Sequence, residues 1–200
     1  MRAKYMSAKA SEPKTSTKKA PAVLAAELII HAIGENGKRD GLQRTPQRFA
    51  KAIQELCSGY ALTAEEAVGN GVFPAEGRGL VSVRKVEFHS LCEHHMLPFW
   101  GEASVAYYPA KKILGLSKIP RLVDVFSKRL QVQERLTNQI AEAISQVVQP
   151  RAVAVRVTGC HMCMMMRGVK KQKSDTITES SLGLENLSQG EIDRLWKSLD

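Results

Sequence analysis

Apolar residues recur at helical spacing in the first third of this 200-residue chain, switch to a period of two after Gly79, and return to helical spacing beyond residue 118. Val23, Leu24, Leu28 and Ile29 share a face in a stretch dense in helix formers, residues 22–33, which Gly34 and Gly37 stop. Thr45 and Pro46 have the form of an N-cap with proline at the first helical position, and Phe49, Ile53 and Leu56 carry one face onward to Gly59. Cys57 sits beside that face and reads as core. Thr63 with Glu66 three residues later is a capping-box pattern, opening a short third helix that ends before Gly69. Val81, Val83, Val86 and Phe88 alternate as a strand with a bulge near Lys85, and Ala103, Val105 and Tyr107 alternate as a second.

Between Ile119 and Val148, Leu122, Val125 and Phe126, then Leu136, Ile140, Ile144 and Val147, form an apolar stripe broken near residues 130–132 and closed by Pro150. Val153, Val155 and Val157 alternate again, residues 176–180 read as a last strand, and residues 191–199 as a C-terminal helix. No internal repeat is present. This order predicts an α+β domain, an antiparallel sheet with helices on one face, preceded by an N-terminal helical segment. The expected organisation is an arm over residues 1–20 and a folded domain over 21–200, helical over 21–78 and sheet-bearing over 79–200.

Composition sharpens this. Apolar residues make up 44% of the chain, enough for a sizeable core. The net charge is +9, and Arg2, Lys4, Lys9, Lys14, Lys18 and Lys19 against Glu12 place more than half of it in the first twenty residues. The body is only mildly basic. The arm has no apolar period and reads as disordered; a transit peptide is the alternative, disfavoured by its single arginine and lack of an amphipathic stripe. The purely apolar runs, residues 28–30 and 162–166, are far shorter than a membrane span. Cys57, Cys92, Cys160 and Cys163 are too few for a disulfide scaffold, and with no apolar leader the chain reads as cytoplasmic, its thiols free to bind metal.

The chemistry-bearing residues cluster. Leu91-Cys92-Glu93-His94-His95 offers a thiolate and an imidazole at C-x2-H spacing just after a strand, and Cys160-His161-Met162-Cys163 offers a second pair far downstream. Two arrangements compete: a closed structural zinc site of Cys92, His95, Cys160 and Cys163, and an open site of Cys92, His95 and Cys163. Continuing the period of Val153, Val155 and Val157 puts His161 and Cys163 on one face and Cys160 on the other. His94 and His161 beside the ligands favour the open site, since hydrolytic chemistry needs proton carriers and a closed site does not. A zinc deaminase would need H-x-E followed by P-C-x2-C, and the order here is different. His31 receives no role.

Four ordered motifs carry a closer likeness: residues 90–95 (Ser-Leu-Cys-Glu-His-His), 115–119 (Gly-Leu-Ser-Lys-Ile), 131–137 (Gln-Val-Gln-Glu-Arg-Leu-Thr) and 161–169 (His-Met-Cys-Met-Met-Met-Arg-Gly-Val). Together with Thr45-Pro46-Gln47-Arg48, they closely resemble GTP cyclohydrolase I, from the first helix to about Gly183. The resemblance implies a tunnelling fold (T-fold), assembly as a homodecamer of two pentamers with sites at subunit interfaces, and conversion of GTP and water to 7,8-dihydroneopterin triphosphate and formate. It implies zinc on Cys92, His95 and Cys163, proton transfer by His94 and His161, and a guanine-gripping carboxylate, Glu134, next to Gln133. Arg48, Lys51, Lys118, Arg121 and Arg167 would hold the triphosphate, and Ser117 would lie near the ribose. Three protein ligands would leave zinc a position for water, lowering its pKa to about 7 for attack at C8. A carboxylate that accepts from guanine N1–H and the 2-amino group would be left buried and unpaired by adenine.

Two features depart from the likeness. Cys160 is outside the motif and keeps the four-ligand site open, and Leu182-Gly183-Leu184 lacks the phenylalanine expected after Leu-Gly, which bears on packing or assembly. Met162 to Met166 read as core filler. Two other functions remain. A zinc-stabilised nucleic-acid-binding module would account for the basic arm, but 6% aromatic residues give little for base stacking. A relative on the same fold with a cysteine nucleophile and no metal, such as the nitrile reductases of deazaguanine metabolism, would differ in metal content. The expected partners are GTP and further copies of the chain, and neither nucleic acid nor membrane.

Overall fold

The structure is a computed structural model and describes residues 19–200, so the reading of the basic arm falls outside the described residues up to residue 18. The chain divides into two compact units, one ending at Ile53 and the other Gln54–Asp200.

The N-terminal unit contains α1 (Pro21–Ala32) and most of α2 (Thr45–Leu56). Pro21 opens α1 where its missing N–H costs nothing. The face that α1 buries carries Ala26 and Ile30, while Leu24, Leu28, Ile29 and Ile33 stay exposed. The predicted stripe therefore exists but faces outward. Thr45 is itself the first residue of α2, and its hydroxyl donates to Gly41 O at 3.4 Å instead of capping the helix.

The larger unit is built on a five-stranded sheet in the order β5-β2-β3-β6-β7. Its strands are β2 (Val81–Cys92), β3 (Pro98–Tyr108), β5 (Leu130–Gln131), β6 (Ala152–His161) and β7 (Thr176–Leu182). All neighbours are antiparallel except β2 and β5. A separate antiparallel pair joins β1 (Val72–Pro74) to β4 (Lys112–Leu114). Register slips between Val83 and Val86, where Lys85 takes a left-handed φ of 56°, so the expected bulge is present. The Thr63–Glu66 capping box also forms, at the start of α3 (Ala64–Val68).

Period-two alternation decides what each face meets. Val86, Phe88, Phe99, Ala103, Val105, Tyr107, Val153, Val155 and Val157 point to one face, where α4 (Lys118–Ser127) and α5 (Gln133–Val148) cover them with Ile119, Leu122, Leu136, Ile140 and Ile144. This is the expected α+β arrangement. The opposite face is covered at one end by α7 (Gln189–Lys197) and Leu199, with Leu195 and Leu199 packed on Ala106, Tyr108, Ala152 and Ala154. The break in the helical stripe is β5, whose two residues pair with Leu91 and Cys92. The methionine run is not core: Met162–Met165 form the short helix α6 with no buried residue, and Met166 is exposed, because the chain leaves the sheet at His161. Register places Phe99 against His161 and Leu91 against Pro98, so both ligand segments come to the same end of the sheet.

Candidate metal centre

Cys92 lies within the strand, as the last residue of β2, and not beyond it as the spacing suggested. It is buried, with Gln131 of β5 beside it. The turn that follows is held from several sides. His95 and Met96 N–H donate to Cys92 O at 3.3 and 2.7 Å, Cys92 N–H donates to Leu97 O at 2.9 Å, and Glu93 N–H donates to Gln131 O at 2.9 Å. Met96 adopts a left-handed φ of 53°, which brings the chain back into β3. From the other segment, β6 ends at His161 and the first turn of α6 carries Cys163.

The candidate ligand atoms of Cys92, His95 and Cys163 all lie within 4.8 Å of one another, and Cys160 is outside this group. Its position on β6, paired with Trp100 and of opposite parity to His161, explains why. Cys92 Sγ and His95 Nδ1 are 3.9 Å apart, slightly longer than the tetrahedral edge of about 3.6 Å expected for bonds of about 2.3 Å from sulfur and about 2.05 Å from nitrogen to one ion. Burial pushes the Cys163 thiol up, and Cys92 beside it pushes it further, while Arg167 pulls it down. Two sulfurs so placed repel when both are thiolates, and a cation between them relieves this. The residues therefore fit a soft divalent metal. Arg167 Nη1 donates to His95 Nε2 at 2.8 Å, and a cation on Nδ1 would require Nε2 to carry a proton and this contact to open.

The proton carriers expected from the sequence lie at the same place. His94 is exposed, with Nδ1 3.9 Å from Cys92 Sγ and Nε2 4.0 Å from Glu93 Oε1. His161 is half-buried and stacks on Phe99 with centroids 4.6 Å apart and planes 3° from parallel. Its Nε2 lies 2.9 Å from Gln133 Oε1. Burial pulls its basicity down, and the charge of Glu134 raises it. Glu134 is exposed on the first turn of α5, within electrostatic reach of His161. Gln133 is 2% exposed, and its amide hydrogens are used inside the chain.

Ser117, at the start of α4, and Arg121 are exposed; the stem of Lys118 lies over Gly71, and no hydrogen bond or ion pair joins these three side chains to the cluster among the described residues. Arg121 lines a cavity of about 310 Å³ with Ser58, Leu62, Glu66, Asp124 and Lys128. Arg48 and Lys51 are exposed on α2. Sequence reasoning missed Arg135, which grips Glu93 with two nitrogens, and Phe99 and Gly159, which pack on His161 and Gln133. Arg135 stands within a quoted motif; Phe99 could be found only from strand register.

Comparison with known proteins adds to this geometry. A family model described as GTP cyclohydrolase I matches residues 23–195. The chain is 56% identical over 155 residues to GTP cyclohydrolase 1 of Deinococcus radiodurans, covering 78% of this chain and 72% of that one. It is 47% identical over 180 residues to GTP cyclohydrolase 1 of Gloeobacter violaceus, covering 90% and 84%. Among solved structures, the apo form of an archaeosine synthase QueF-like protein aligns with 54% of this chain and 97% of its own, at TM-score 0.44 and 21% identity.

Proposed function

The chain belongs to the GTP cyclohydrolase I family and is an enzyme, and we propose that it hydrolyses and rearranges GTP to 7,8-dihydroneopterin triphosphate and formate with zinc as its metal. The observation that carries this reading is the convergence of Cys92, His95 and Cys163, without Cys160, beside His161. Zinc held by those three residues would supply Lewis acidity and water activated near neutral pH. The remaining work falls to the chain itself.

His161 protonates N7 as the imidazole ring opens, and His94 carries the proton for hydrolysis of the resulting formamide. The same histidines, with Ser117 at the ribose, shuttle protons in the later rearrangement and ring closure. Glu134 accepts from N1–H and the 2-amino group of guanine, a role its exposure and proximity to His161 support. Gln133 was expected beside it at the guanine, but its buried amide supports a place behind His161. Arg167, next to the ligands, and Lys118, Arg121, Arg48 and Lys51 hold the triphosphate. The sites would lie at subunit interfaces of a homodecamer of two pentamers, and the exposed stripe Leu24, Leu28, Ile29 and Ile33 supports association with further copies of the chain. Among the described residues no helix is long and apolar enough to cross a membrane, and four unpaired cysteines suit the reducing cytoplasm.

Zinc-loaded protein incubated with GTP should release formate and, after oxidation, give a fluorescent pterin. A folded sample containing one zinc per chain and yielding neither product would reject the reading. His161→Ala with zinc retained should lose turnover severely, whereas a purely structural metal site predicts little change.

A further inference from the structure

The hydrogen-bond network around Gln133 fixes which nitrogen of His161 carries the proton. Gln133 Nε2 lies 3.0 Å from Val157 O, 2.8 Å from Thr176 O and 3.2 Å from Thr178 Oγ1. Two of these partners are carbonyl oxygens, which only accept. The amide must therefore present its NH2 to them, since the flipped orientation would set oxygen against oxygen twice. The threonines agree. Thr137 Oγ1 donates to Gln133 O at 2.8 Å, so across the 2.6 Å contact the Thr178 hydroxyl donates to Thr137 and keeps a lone pair for Gln133.

With its hydrogens committed, Gln133 faces His161 with its carbonyl oxygen alone, 2.9 Å from Nε2. An oxygen there can only accept. We propose that Gln133 is a positioning residue, which holds the His161 ring in one orientation as the Nε2–H tautomer, with Nδ1 its bare nitrogen. This deepens the cyclohydrolase reading and, for its catalytic part, rests on it. Phe99, fully buried and stacked on the imidazole, sets the ring plane, while Gln133 sets rotation within it. Gly159 makes room: a Cβ there would stand 2.5 Å from Gln133 Oε1 and push the amide off His161. The site thus relies on a buried amide for the task that a carboxylate or backbone carbonyl performs behind other catalytic histidines.

The test is solid-state 15N spectroscopy of the zinc-loaded full-length protein with labelled histidine, the His161 signals assigned by their loss in His161→Asn. The wild type should show Nε2 protonated and Nδ1 bare. Gln133→Met, which removes the acceptor, and Gly159→Ala, which displaces it while keeping the amide, should each give a mixture of tautomers. Each should lower kcat for GTP by roughly 10- to 100-fold while KM changes less than about twofold. Finding the Nδ1–H tautomer in the wild type overturns the proposal, as does an unchanged tautomer in a folded Gly159→Ala or Gln133→Met protein. The spectra need no GTP. An inactive wild type with the Nε2–H tautomer would reject the cyclohydrolase reading and leave the positioning role standing.

Discussion

Arg135 closes on Glu93 with both terminal nitrogens, Nη2 to Oε1 at 3.0 Å and Nη1 to Oε2, and so ties the turn carrying Cys92 and His95 to helix α5. The pair holds the Glu93 carboxyl below its ordinary range, chiefly through the hydrogen bond from Arg135. A two-pronged contact fixes direction as well as distance, which a single charge cannot do. Arg135→Ala should therefore loosen the ligand turn and weaken zinc binding by about 10- to 100-fold, with Arg135→Lys in between. Competition with a chelator of known affinity measures this, and wild-type affinity in a folded Arg135→Ala protein would show that the pair does not support the metal turn.

The two neighbouring thiols of the second segment should behave differently. Cys163 belongs to the cluster and Cys160 points to the other face of the sheet. Cys163→Ser should strip most of the metal and Cys160→Ser none of it. Elemental analysis of the purified variants decides this, and loss of zinc from Cys160→Ser would restore the closed four-ligand site.

Much of this arrangement is legible in the sequence, and the boundary is physical. The bulge at Lys85, the capping box at Thr63 and the parity that sets Cys160 opposite His161 are local, set by a few residues of chain, whereas Cys163, expected to continue the strand, lies on α6 because β6 ends at His161. Pairing of β3 with β6, which sets Phe99 under His161, depends on register between strands far apart in sequence, and no local pattern encodes it. Gln133 shows the same limit: beside Glu134 in the motif it reads as a ligand-binding amide, yet it heads the buried face of α5 while its neighbour heads the exposed one. The α1 stripe misled in another way, because periodicity identifies an apolar face without saying what covers it.

Gly101 is a stability determinant of the central strands. A Cβ at this position would stand 1.8 Å from Thr158 O and 2.8 Å from Gly159 Cα, both backbone atoms that cannot turn aside. Gly101→Ala should force β3 and β6 apart and destabilise the protein by about 1–3 kcal/mol. Gly190, in α7, is the control, because an added Cβ meets nothing within 4 Å. Gly190→Ala should raise stability by up to about 1 kcal/mol through helix propensity. Thermal or denaturant unfolding of both variants tests the contrast, and equal effects would contradict it.

The C-terminal helix carries an acid-sensitive latch. Arg151 Nη1 donates to Glu191 Oε1 at 2.9 Å, and the Ser188 N–H and hydroxyl donate to Oε2 at 2.9 and 3.0 Å. Led by the Arg151 contact, these bonds hold the Glu191 carboxyl down to about 2, against about 4.3 for a free glutamate. A carboxyl depressed by folding stabilises the native state fully above its unfolded value, and that contribution disappears as pH falls from about 4.3 through 2. Glu191→Gln should therefore be less stable than wild type at pH 6, and the gap should shrink steadily between about pH 5 and 2. Urea midpoints of the two proteins measured across that range give the answer, and a gap independent of pH would mean that Glu191 acts through packing and not through its charge.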